Sequence, residues 1–255
     1  MLVAERYEKI VQLVNERGSM RVTELSELCQ VTEETIRRDL DRLEAAGRLR
    51  RSHGGAVSVK EGASAQLEIP YAEREILHAD EKRRIAEEAV GLIRPKDRIL
   101  LDASSTAWYM ARSLPNVPLT VLTNSIRVAT ELAAKEKIDV ISTGGLLAQR
   151  SLSFVGPLAE RTLDAYYVDK LFFSCKGVHA EHGVSESHEL QARVKQKMID
   201  RADQVILLAD SSKFGIQAFT HVADLSQVDA IVTDGKIPAE MRSQLEERRL
   251  SVTVV

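Results

Sequence analysis

The amino-acid sequence predicts an α/β protein in which a small helical module precedes a larger, mostly parallel sheet. Three observations support this fold class. Residues 1–59 contain three successive helical patterns and a glycine-containing hairpin signal. Beyond them, short apolar runs alternate with helical patterns, as in parallel strands joined by helices. The 255 residues suffice for two ordinary domains, and 44% hydrophobic with 29% charged residues is typical of a globular chain.

The N-terminal module begins with three helices. Apolar residues recur at helical spacing up to Gly18, a residue type that commonly follows a helix C-terminus. We expect Thr23 to cap the second helix and Thr32 the third, because a threonine hydroxyl accepts a hydrogen bond from the first turn. The third helix is expected to end at Gly47, with only a tight turn between it and the second.

A short hairpin follows the third helix, with its turn at Gly54 and Gly55. Three helices and a hairpin form a winged helix-turn-helix outline, which we assign to residues 1–59. Residues 60–68 lack apolar periodicity and contain small, polar residues, so a linker is predicted there, which we assign to residues 60–72. Residues 73–255 form the second domain.

The second domain alternates strand and helix patterns. Its strands are short and apolar throughout, which predicts burial on both faces of a Rossmann-like, mostly parallel sheet. The first two strands are followed by helices at about 106–114 and 125–135. The predicted strands are 98–102, 119–123, 138–142, 170–175, 204–209, 230–233 and 251–255.

The third helix carries the chemistry of a DNA-reading element. If Ile36, Leu40 and Leu43 face the core, its threonines and arginines must point elsewhere. Such a helix suits the major groove, where arginine binds guanine or phosphate. The formal net charge of −3 excludes a uniformly basic coat but not this local patch. The predicted contacts to double-stranded DNA are Thr32, Thr35, Arg37, Arg38, Arg42, Arg50, Arg51 and His53.

An alternative is that these arginines pair with Asp39, Asp41 and Glu44 on a solvated helix face, the usual outcome for mixed charges. Charge alone favours this interpretation. The series of two helices, a tight turn and a basic hairpin favours DNA binding instead.

Polar residues follow the predicted strands where each one ends. In a parallel sheet these ends meet at one edge, the usual place for a ligand. Serines and threonines after strands are individually more often helix caps, and Gly-Gly is more often a turn. Their repetition at successive strand ends is what predicts a site. The segments are 102–106, 123–125, 143–145, 176–177 and 210–214.

The residues from Arg6 to Leu40, which include Thr32-x-x-Thr-Ile-Arg-Arg-Asp-Leu40, resemble the signature of DeoR-type bacterial repressors. The glycines and basic residues from Gly47 to Ala56 are similar to that family's wing. The resemblance implies that Thr35, Arg37 and Arg38 touch DNA and that Asp39 orients the arginines.

Residues 73–250 resemble the sugar-phosphate sensor domain of the same family, whose fold is similar to ribose-5-phosphate isomerase. By this resemblance the serines and threonine of 104–106 hold a phosphate, lysines add positive charge, and carboxylates accept hydrogen bonds from sugar hydroxyls. Ala103 stands where many members have glycine. The implied effector contacts are Asp102, Ser104, Ser105, Thr106, Asn124, Ser125, Gly144, Gly145, Lys176, Glu186, Glu189, Lys195, Asp210 and Lys213.

The segment 102–115 most resembles repressors of deoxyhexose operons, such as those for fucose or rhamnose. The resemblance implies a repressor that is relieved by a ketose 1-phosphate, such as rhamnulose or fuculose 1-phosphate. A homodimer or homotetramer is expected because one reading head covers only one half-site, and no cofactor is expected. Trp108 and Tyr109 are expected in the core rather than as a wall for the deoxy methyl group.

A sugar-phosphate isomerase with an accessory helical domain is the alternative function, with Asp169, Glu186, Glu189 and Lys195 as acid–base candidates. The N-terminal module argues against it, since an isomerase has no use for one. We therefore expect no enzyme activity.

Cysteine and histidine usage predicts neither a disulfide framework nor a metal site. Cys29 and Cys175 are far apart, and the histidines at 179, 182 and 188 have no spacing that suits a metal. No apolar run approaches the ~20 residues of a membrane span. We expect a reducing cytoplasmic compartment and no membrane contact.

Overall fold

The computed structural model describes residues 2–17, 19–52, 54–57 and 68–255, with the backbone alone at 16, 19, 50, 52 and 57. The chain forms two units, the first ending at Leu77 and the second beginning at His78. The predicted contact His53 and most of the predicted linker, residues 60–67, lie outside the described residues. Tyr71 and Ala72, at the end of the predicted linker, already belong to a short helix of the first unit.

The first unit is mainly helical. Its elements are α1 (Val3–Arg17), β1 (Ser19–Arg21), α2 (Val22–Cys29), α3 (Glu33–Ala45), β2 (Arg50–Ser52), β3 (Gly55–Val57) and α4 (Tyr71–Ile76).

The core of the first unit confirms the predicted inward face of α3. Ile36, Leu40 and Leu43 are fully buried, and they pack in one apolar cluster with residues of α1 and α2. α3 stops before Gly47, whose φ of +72° is the left-handed backbone that terminates a helix. This module is a winged helix-turn-helix.

Two details of the first unit differ from the sequence expectation. Thr23 does not cap α2, because the helix already begins at Val22, directly after β1. The wing has three strands rather than two, in the order β1-β3-β2. Gly55 is required there, since a Cβ atom at this position would lie 2.1 Å from the Met20 carbonyl oxygen of β1.

The second unit consists of strands alternating with helices. Its elements are α5 (Ala79–Val90), β4 (Arg98–Leu101), α6 (Ser105–Ser113), β5 (Leu119–Thr123), α7 (Ile126–Leu132), β6 (Ile138–Ser142), β7 (Leu146–Ala148), β8 (Ser153–Val155), α8 (Pro157–Asp164), β9 (Val168–Phe173), β10 (Gly177–His179), β11 (Gly183–Glu186), α9 (Glu189–Ile199), β12 (Ala202–Leu208), β13 (Thr220–Ala223), β14 (Ala230–Thr233), α10 (Ala239–Glu247) and β15 (Ser251–Val254).

A seven-stranded parallel sheet is the centre of this unit and confirms the predicted fold class. The strand order is β15-β14-β12-β9-β4-β5-β6. Within this sheet, β4 is the first strand in sequence and lies in the middle. The next two strands, β5 and β6, are added on one side of β4, and the chain then crosses back to place β9 on its other side. The boundary between β4 and β9 is therefore the topological switch point, where a parallel sheet opens a crevice for a ligand.

Five short strands outside this sheet were not predicted. β7 and β8 form a hairpin, and β10, β11 and β13 form a small antiparallel sheet. Each has only three or four residues, too few to display a clear alternation of apolar and polar side chains. Of the helices in the described residues, none is long and apolar enough to span a membrane.

Candidate functional site

Two threonines lie at the N-terminus of α3. The Thr32 hydroxyl accepts a hydrogen bond from the Thr35 N–H at 3.3 Å, so Thr32 caps the helix as predicted. The two hydroxyls are 2.9 Å apart. Thr32 is exposed and Thr35 half-buried, which leaves this helix terminus open to solvent. Such a terminus presents N–H groups and hydroxyls suited to a phosphate.

Arg37 and Arg38 project from the outer face of α3, with side chains 49% and 72% exposed. Arg37 pairs with Glu33 at 2.5 Å and Arg38 with Glu34 at 3.3 Å. Exposed pairs within one helix contribute less than about 1 kcal/mol. A DNA phosphate or a guanine edge can therefore replace these carboxylates at little cost.

Asp39 is on the opposite side from this outer face and does not orient Arg37 or Arg38, contrary to expectation. It is buried, and its carboxylate binds Arg6 of α1, with Nε–Oδ2 at 2.6 Å and Nη2–Oδ1 at 3.3 Å. The bond to Asp39 raises the pKa of Arg6, against the effect of burial. The bidentate pair joins α3 to α1. Arg42 is also directed to α1, where it donates to the Tyr7 hydroxyl at 3.1 Å.

The wing is attached to α3 through Arg51. Its backbone N–H donates to Glu44 at 2.7 Å, and its guanidinium contacts Asp41 at 2.6 Å and the Arg37 carbonyl at 3.1 Å. Arg51 thus fixes the wing on the helix, and a phosphate contact has to compete with Asp41. The side chain of Arg50 and all of His53 lie outside the described residues.

The second candidate site occupies the switch point between β4 and β9. Lys195 of α9 is buried here, with its Nζ 3.2 Å from Asp102 Oδ2, 2.5 Å from Glu186 Oε1 and 2.6 Å from the Ser174 carbonyl oxygen. Asp102, fully buried after β4, also accepts from the N–H groups of Ser104 and Ser174, each at 3.1 Å. The residues Asp102, Glu186 and Lys195 are called the switch-point cluster below.

The cluster keeps Lys195 protonated. Burial lowers the pKa of this lysine, but Glu186 and Asp102 more than offset the effect, so the pKa lies above its ordinary value. One ammonium with two carboxylates has a formal charge of −1. The resemblance implied that Lys195 supplies positive charge for a phosphate, but its two carboxylate partners leave no net positive charge there. The cluster is suited to sugar hydroxyls instead.

Glu186 and Glu189 differ in their placement. Of the carboxylates in the described chain, those of Asp102 and Glu186 are the ones within ion-pair distance of Lys195. Glu189 is exposed at the first residue of α9, after His188, whose ring nitrogen caps the helix. The structure does not bring Glu189 into the switch-point cluster.

The N-terminus of α6 lies next to the cluster. Ser104 caps it, its hydroxyl accepting from the Ala107 N–H at 3.0 Å. In the described part of the chain, the hydroxyls of Ser105 and Thr106 have no hydrogen-bond partner. Ser105 and Thr106 are thus available to an anion, whereas the Ser104 hydroxyl acts as a cap.

The ends of β5 and β6 each contribute one residue that can contact a ligand, Asn124 after β5 and Gly144 after β6. Asn124 donates from Nδ2 to the Phe154 carbonyl at 3.0 Å, while its buried Oδ1 has no partner among the described atoms. Ser125 is fully buried and caps α7. A Cβ at Gly145 would lie 2.9 Å from the Val155 carbonyl, so this glycine serves packing. A Cβ added at Gly144, where φ is +59°, would meet nothing within 4 Å, so the space beside this glycine can admit a ligand.

Asp210 marks the end of β12. Its side chain is almost fully buried. The Oδ1 atom accepts hydrogen bonds from the Ser212 N–H, at 3.1 Å, and from the Ser212 hydroxyl. The Oδ2 atom has no hydrogen-bond partner in the described chain. Burial raises the pKa of Asp210, but Lys213 and then Lys82 outweigh this and lower it. Lys213 and Lys176 are half-buried at the same edge.

Lys82 is a candidate residue that sequence reasoning missed. It is 4% exposed on α5, in line with the buried Ile85, Ala86 and Ala89. The sequence does place this lysine at a core-facing position of a helix. Buried lysines are rare unless a partner balances their charge, so this position could have marked Lys82 as a candidate.

Trp108 and Tyr109 confirm the core interpretation, being 6% and 9% exposed. The Trp108 indole donates to Glu131 at 3.1 Å, and Arg112 and Arg127 lie over its ring at 4.8 and 5.0 Å. In the described residues no cluster of three or more metal-ligating side chains occurs. Both cysteines are free and buried.

The two units match two domains of one family. Residues 6–62 match the DeoR-like helix-turn-helix domain, and residues 77–235 match the DeoR C terminal sensor domain. A ribose 5-phosphate isomerase A from Methanocaldococcus jannaschii aligns at 21% identity and a TM-score of 0.41, over 54% of this chain and 55% of that chain.

Relatives match the chain over nearly its whole length. The HTH-type transcriptional regulator YulB of Bacillus subtilis is 55% identical over 100% of this chain and 98% of the relative. An L-fucose operon activator of Haemophilus influenzae is 39% identical over 95% of this chain and 96% of the relative. The chain therefore belongs to the DeoR family of transcriptional regulators.

Proposed function

We propose that this protein represses a sugar catabolic operon and is relieved by a phosphorylated sugar. The observation that carries the proposal is the buried switch-point cluster next to the N-terminus of α6, where the buried hydroxyls of Ser105 and Thr106 have no hydrogen-bond partner in the described chain. Together they offer partners for hydroxyl groups and for an anion at the switch point. We also propose that the protein acts without catalysis and in the cytoplasm, since an operator-binding protein works where the DNA lies.

The N-terminus of α6 and the switch-point cluster bind different groups of the effector. Ser105 and Thr106 hold the phosphate, because a helix N-terminus and free hydroxyls favour an anion. Asp102 and Glu186 accept hydrogen bonds from sugar hydroxyls, and the unpartnered Asn124 Oδ1 accepts another. The net negative charge of the cluster repels the phosphate and so fixes the orientation of the ligand.

The proposed effector is a ketose 1-phosphate such as fuculose or rhamnulose 1-phosphate. The resemblance of residues 102–115 to deoxyhexose operon repressors supports it. The similarity to a relative that carries the name L-fucose operon activator is consistent with the same sugar class.

The proposed mechanism is a shift between two populations. The effector binds the operator-competent and operator-incompetent arrangements with different affinity, and DNA must then weaken effector binding by the same factor. A pair of reading heads is needed, because each helix-turn-helix covers one half-site. We therefore propose a homodimer or homotetramer.

Calorimetric titration of the full-length protein tests the effector class. Fuculose 1-phosphate and rhamnulose 1-phosphate are compared with the unphosphorylated ketoses and with inorganic phosphate. We expect one ketose phosphate to bind at least about 100-fold more tightly than its free sugar, since charge-assisted hydrogen bonds contribute ~1.5–3 kcal/mol each. Equal binding of the phosphorylated and free sugars contradicts the assigned phosphate site.

A sugar-phosphate isomerase remains the second candidate, because a buried lysine between two carboxylates also suits proton transfer. Lys195 retains its proton, so the general base in that case is Glu186. Turnover of ketose and aldose phosphates that is abolished in Glu186→Gln establishes the enzyme. If a sugar phosphate binds tightly but is not turned over, the isomerase is excluded and the proposed function as a regulator stands.

A further inference from the structure

A short hairpin of the second unit lies outside the main sheet. It comprises β7, β8 and the first residues of α8, residues 146–158, and is called the leucine arm below. β7 pairs with β8 on one side, and none of the described strands pairs with its other edge. An open strand edge presents a row of backbone N–H and C=O groups to a further strand.

Three leucines cover both faces of the leucine arm. Leu146, Leu147 and Leu158 are 64%, 44% and 64% exposed. Leu146 and Leu147 are neighbours on one strand and so point to opposite faces. A Cβ at Gly156 would lie 4.0 Å from the Leu146 Cβ, which places Leu146 beside the start of α8, where Leu158 lies. Single exposed leucines are ordinary, but three on one arm mark an interaction surface.

The leucine arm is almost free of charge. Between Ser142 and Ala159, a stretch of 18 residues, Arg150 is the one charged residue, although 29% of the chain is charged. Proteins usually protect an exposed strand edge with lysines or other charges. Depletion of charge is also the mark of the centre of a protein–protein interface.

The leucine arm is held firmly on the rest of the unit. Phe154 and Asn124 exchange two hydrogen bonds, at 2.7 and 3.0 Å. The Gln191 amide on α9 donates to the hydroxyls of Ser151 and Ser153 at 2.6 and 2.7 Å. A surface fixed in this way loses little conformational freedom on binding, which favours association.

The charge pattern favours a second copy of this chain as the occupant. In a two-fold contact the same patch meets itself, so a charged patch repels its copy whereas a neutral apolar one does not. Two identical strand edges related by a two-fold axis pair antiparallel, which the open edge of β7 permits. The need for two reading heads on one operator points to the same partner, and this one argument rests on the proposed function.

We propose that the leucine arm is the self-association surface of this protein. The β7 strands of two copies pair edge to edge, and Leu146, Leu147 and Leu158 become buried between them.

Sedimentation equilibrium of the full-length protein, without DNA or sugar phosphate, tests the assignment. The variant Leu146→Glu/Leu158→Glu puts two carboxylates into the interface of each copy. We expect its dissociation constant for self-association to rise by about 100-fold or more, the effect of losing central interface contacts. The control Leu92→Glu/Phe219→Glu changes leucine and phenylalanine side chains that are 40% and 69% exposed elsewhere in the same unit, and it should associate like the unaltered chain.

An arm variant that associates like the unaltered chain overturns the assignment, as does a control variant that dissociates as much as the arm variant, or an unaltered chain that is monomeric at all concentrations. If circular dichroism shows that the glutamates disturb folding, Leu146→Ser/Leu158→Ser provides the same comparison with a smaller expected loss. Self-association is measured without DNA, so a chain that dimerises through the arm and yet binds no operator refutes the proposed function alone.

Discussion

Arg6 and Asp39 form a buried bidentate ion pair that joins α1 to α3, the helix proposed to read DNA. The Arg6 Nε lies 2.6 Å from Asp39 Oδ2, and both side chains are less than 10% exposed. The arginines of α3 can face DNA in a defined orientation only if α3 is fixed on the module. The pair provides that fixation from within, where salt screens it little.

Removal of Arg6 should destabilise the N-terminal unit severely. Arg6→Ala leaves the Asp39 carboxylate buried without its partner, which costs about 3–5 kcal/mol. Urea unfolding followed by circular dichroism measures the change. Arg38→Ala is the matched control, because its pair with Glu34 is exposed and should contribute less than about 1 kcal/mol. Equal losses in the two variants contradict a structural role for the buried pair.

Arg37 should be needed for operator binding but not for folding. Arg37→Ala is expected to weaken binding by about 1–3 kcal/mol if the side chain reads a base. Fluorescence anisotropy of labelled operator DNA provides the affinity. Arg83→Ala, which removes an exposed arginine of α5, is the control and should bind as tightly as the unaltered chain. Unchanged affinity in Arg37→Ala removes this residue from the interface.

Lys213 should affect the effector response alone. Lys213→Ala is expected to raise the sugar-phosphate concentration for half-maximal operator release by about tenfold, since a bond to a charged group contributes ~1.5–3 kcal/mol. Operator affinity without effector should stay within about twofold. Lys137→Ala, at an exposed lysine next to β6, serves as control. A loss of folding in Lys213→Ala would instead make the lysine structural.

Asp97 should contribute to the acid sensitivity of the second unit. Burial raises the pKa of Asp97, but the bond to Lys170 at 2.5 Å and the Arg94 N–H outweigh this and lower the pKa from its ordinary value of 3.8. Its stabilisation is therefore present above about pH 4 and lost as the pH falls through the lowered pKa.

The variant Asp97→Asn should be less stable at neutral pH and should lose less stability between about pH 4 and pH 3. Urea unfolding at a series of pH values measures this slope. Asp80→Asn is the control, because this carboxylate is 81% exposed. A slope unchanged by Asp97→Asn, or changed equally by both variants, refutes the contribution of Asp97.

Cys175 should be inert in the native protein although it lies beside the candidate effector crevice. Burial raises the pKa of its thiol to about 12, so almost no thiolate is present near neutral pH. Burial also raises the pKa of Cys29. A thiol reagent at pH 8 should label neither residue until the protein is unfolded. Rapid labelling of Cys175 in the native state contradicts the burial of its thiol.

The sequence predicted the parts of the fold that depend on local patterns. The apolar spacing of α3 identified its buried face, and the seven apolar runs identified every strand of the parallel sheet. The polar segments after β4 and β5 were found because strand ends of a parallel sheet meet at one edge.

What the sequence left open depends on contacts between distant segments. The pairing of Arg6 with Asp39 and of Lys195 with Glu186 rather than Glu189 follows from packing, which residue spacing does not encode. The role of Gly145 emerges only from its approach to the Val155 carbonyl. Thr23 was misjudged because β1 runs directly into α2 and the helix starts one residue earlier.

The central claim, that one chain binds an operator and releases it on binding a sugar phosphate, is tested most directly by fluorescence anisotropy. The labelled DNA is the segment upstream of the protein's own gene, titrated with protein and then with fuculose 1-phosphate, rhamnulose 1-phosphate and their free sugars. We expect tight, sequence-specific binding at physiological salt that one ketose phosphate reverses and its free sugar does not. Specific binding that no sugar phosphate alters contradicts the effector assignment, and absence of specific binding to this DNA contradicts the proposed repressor.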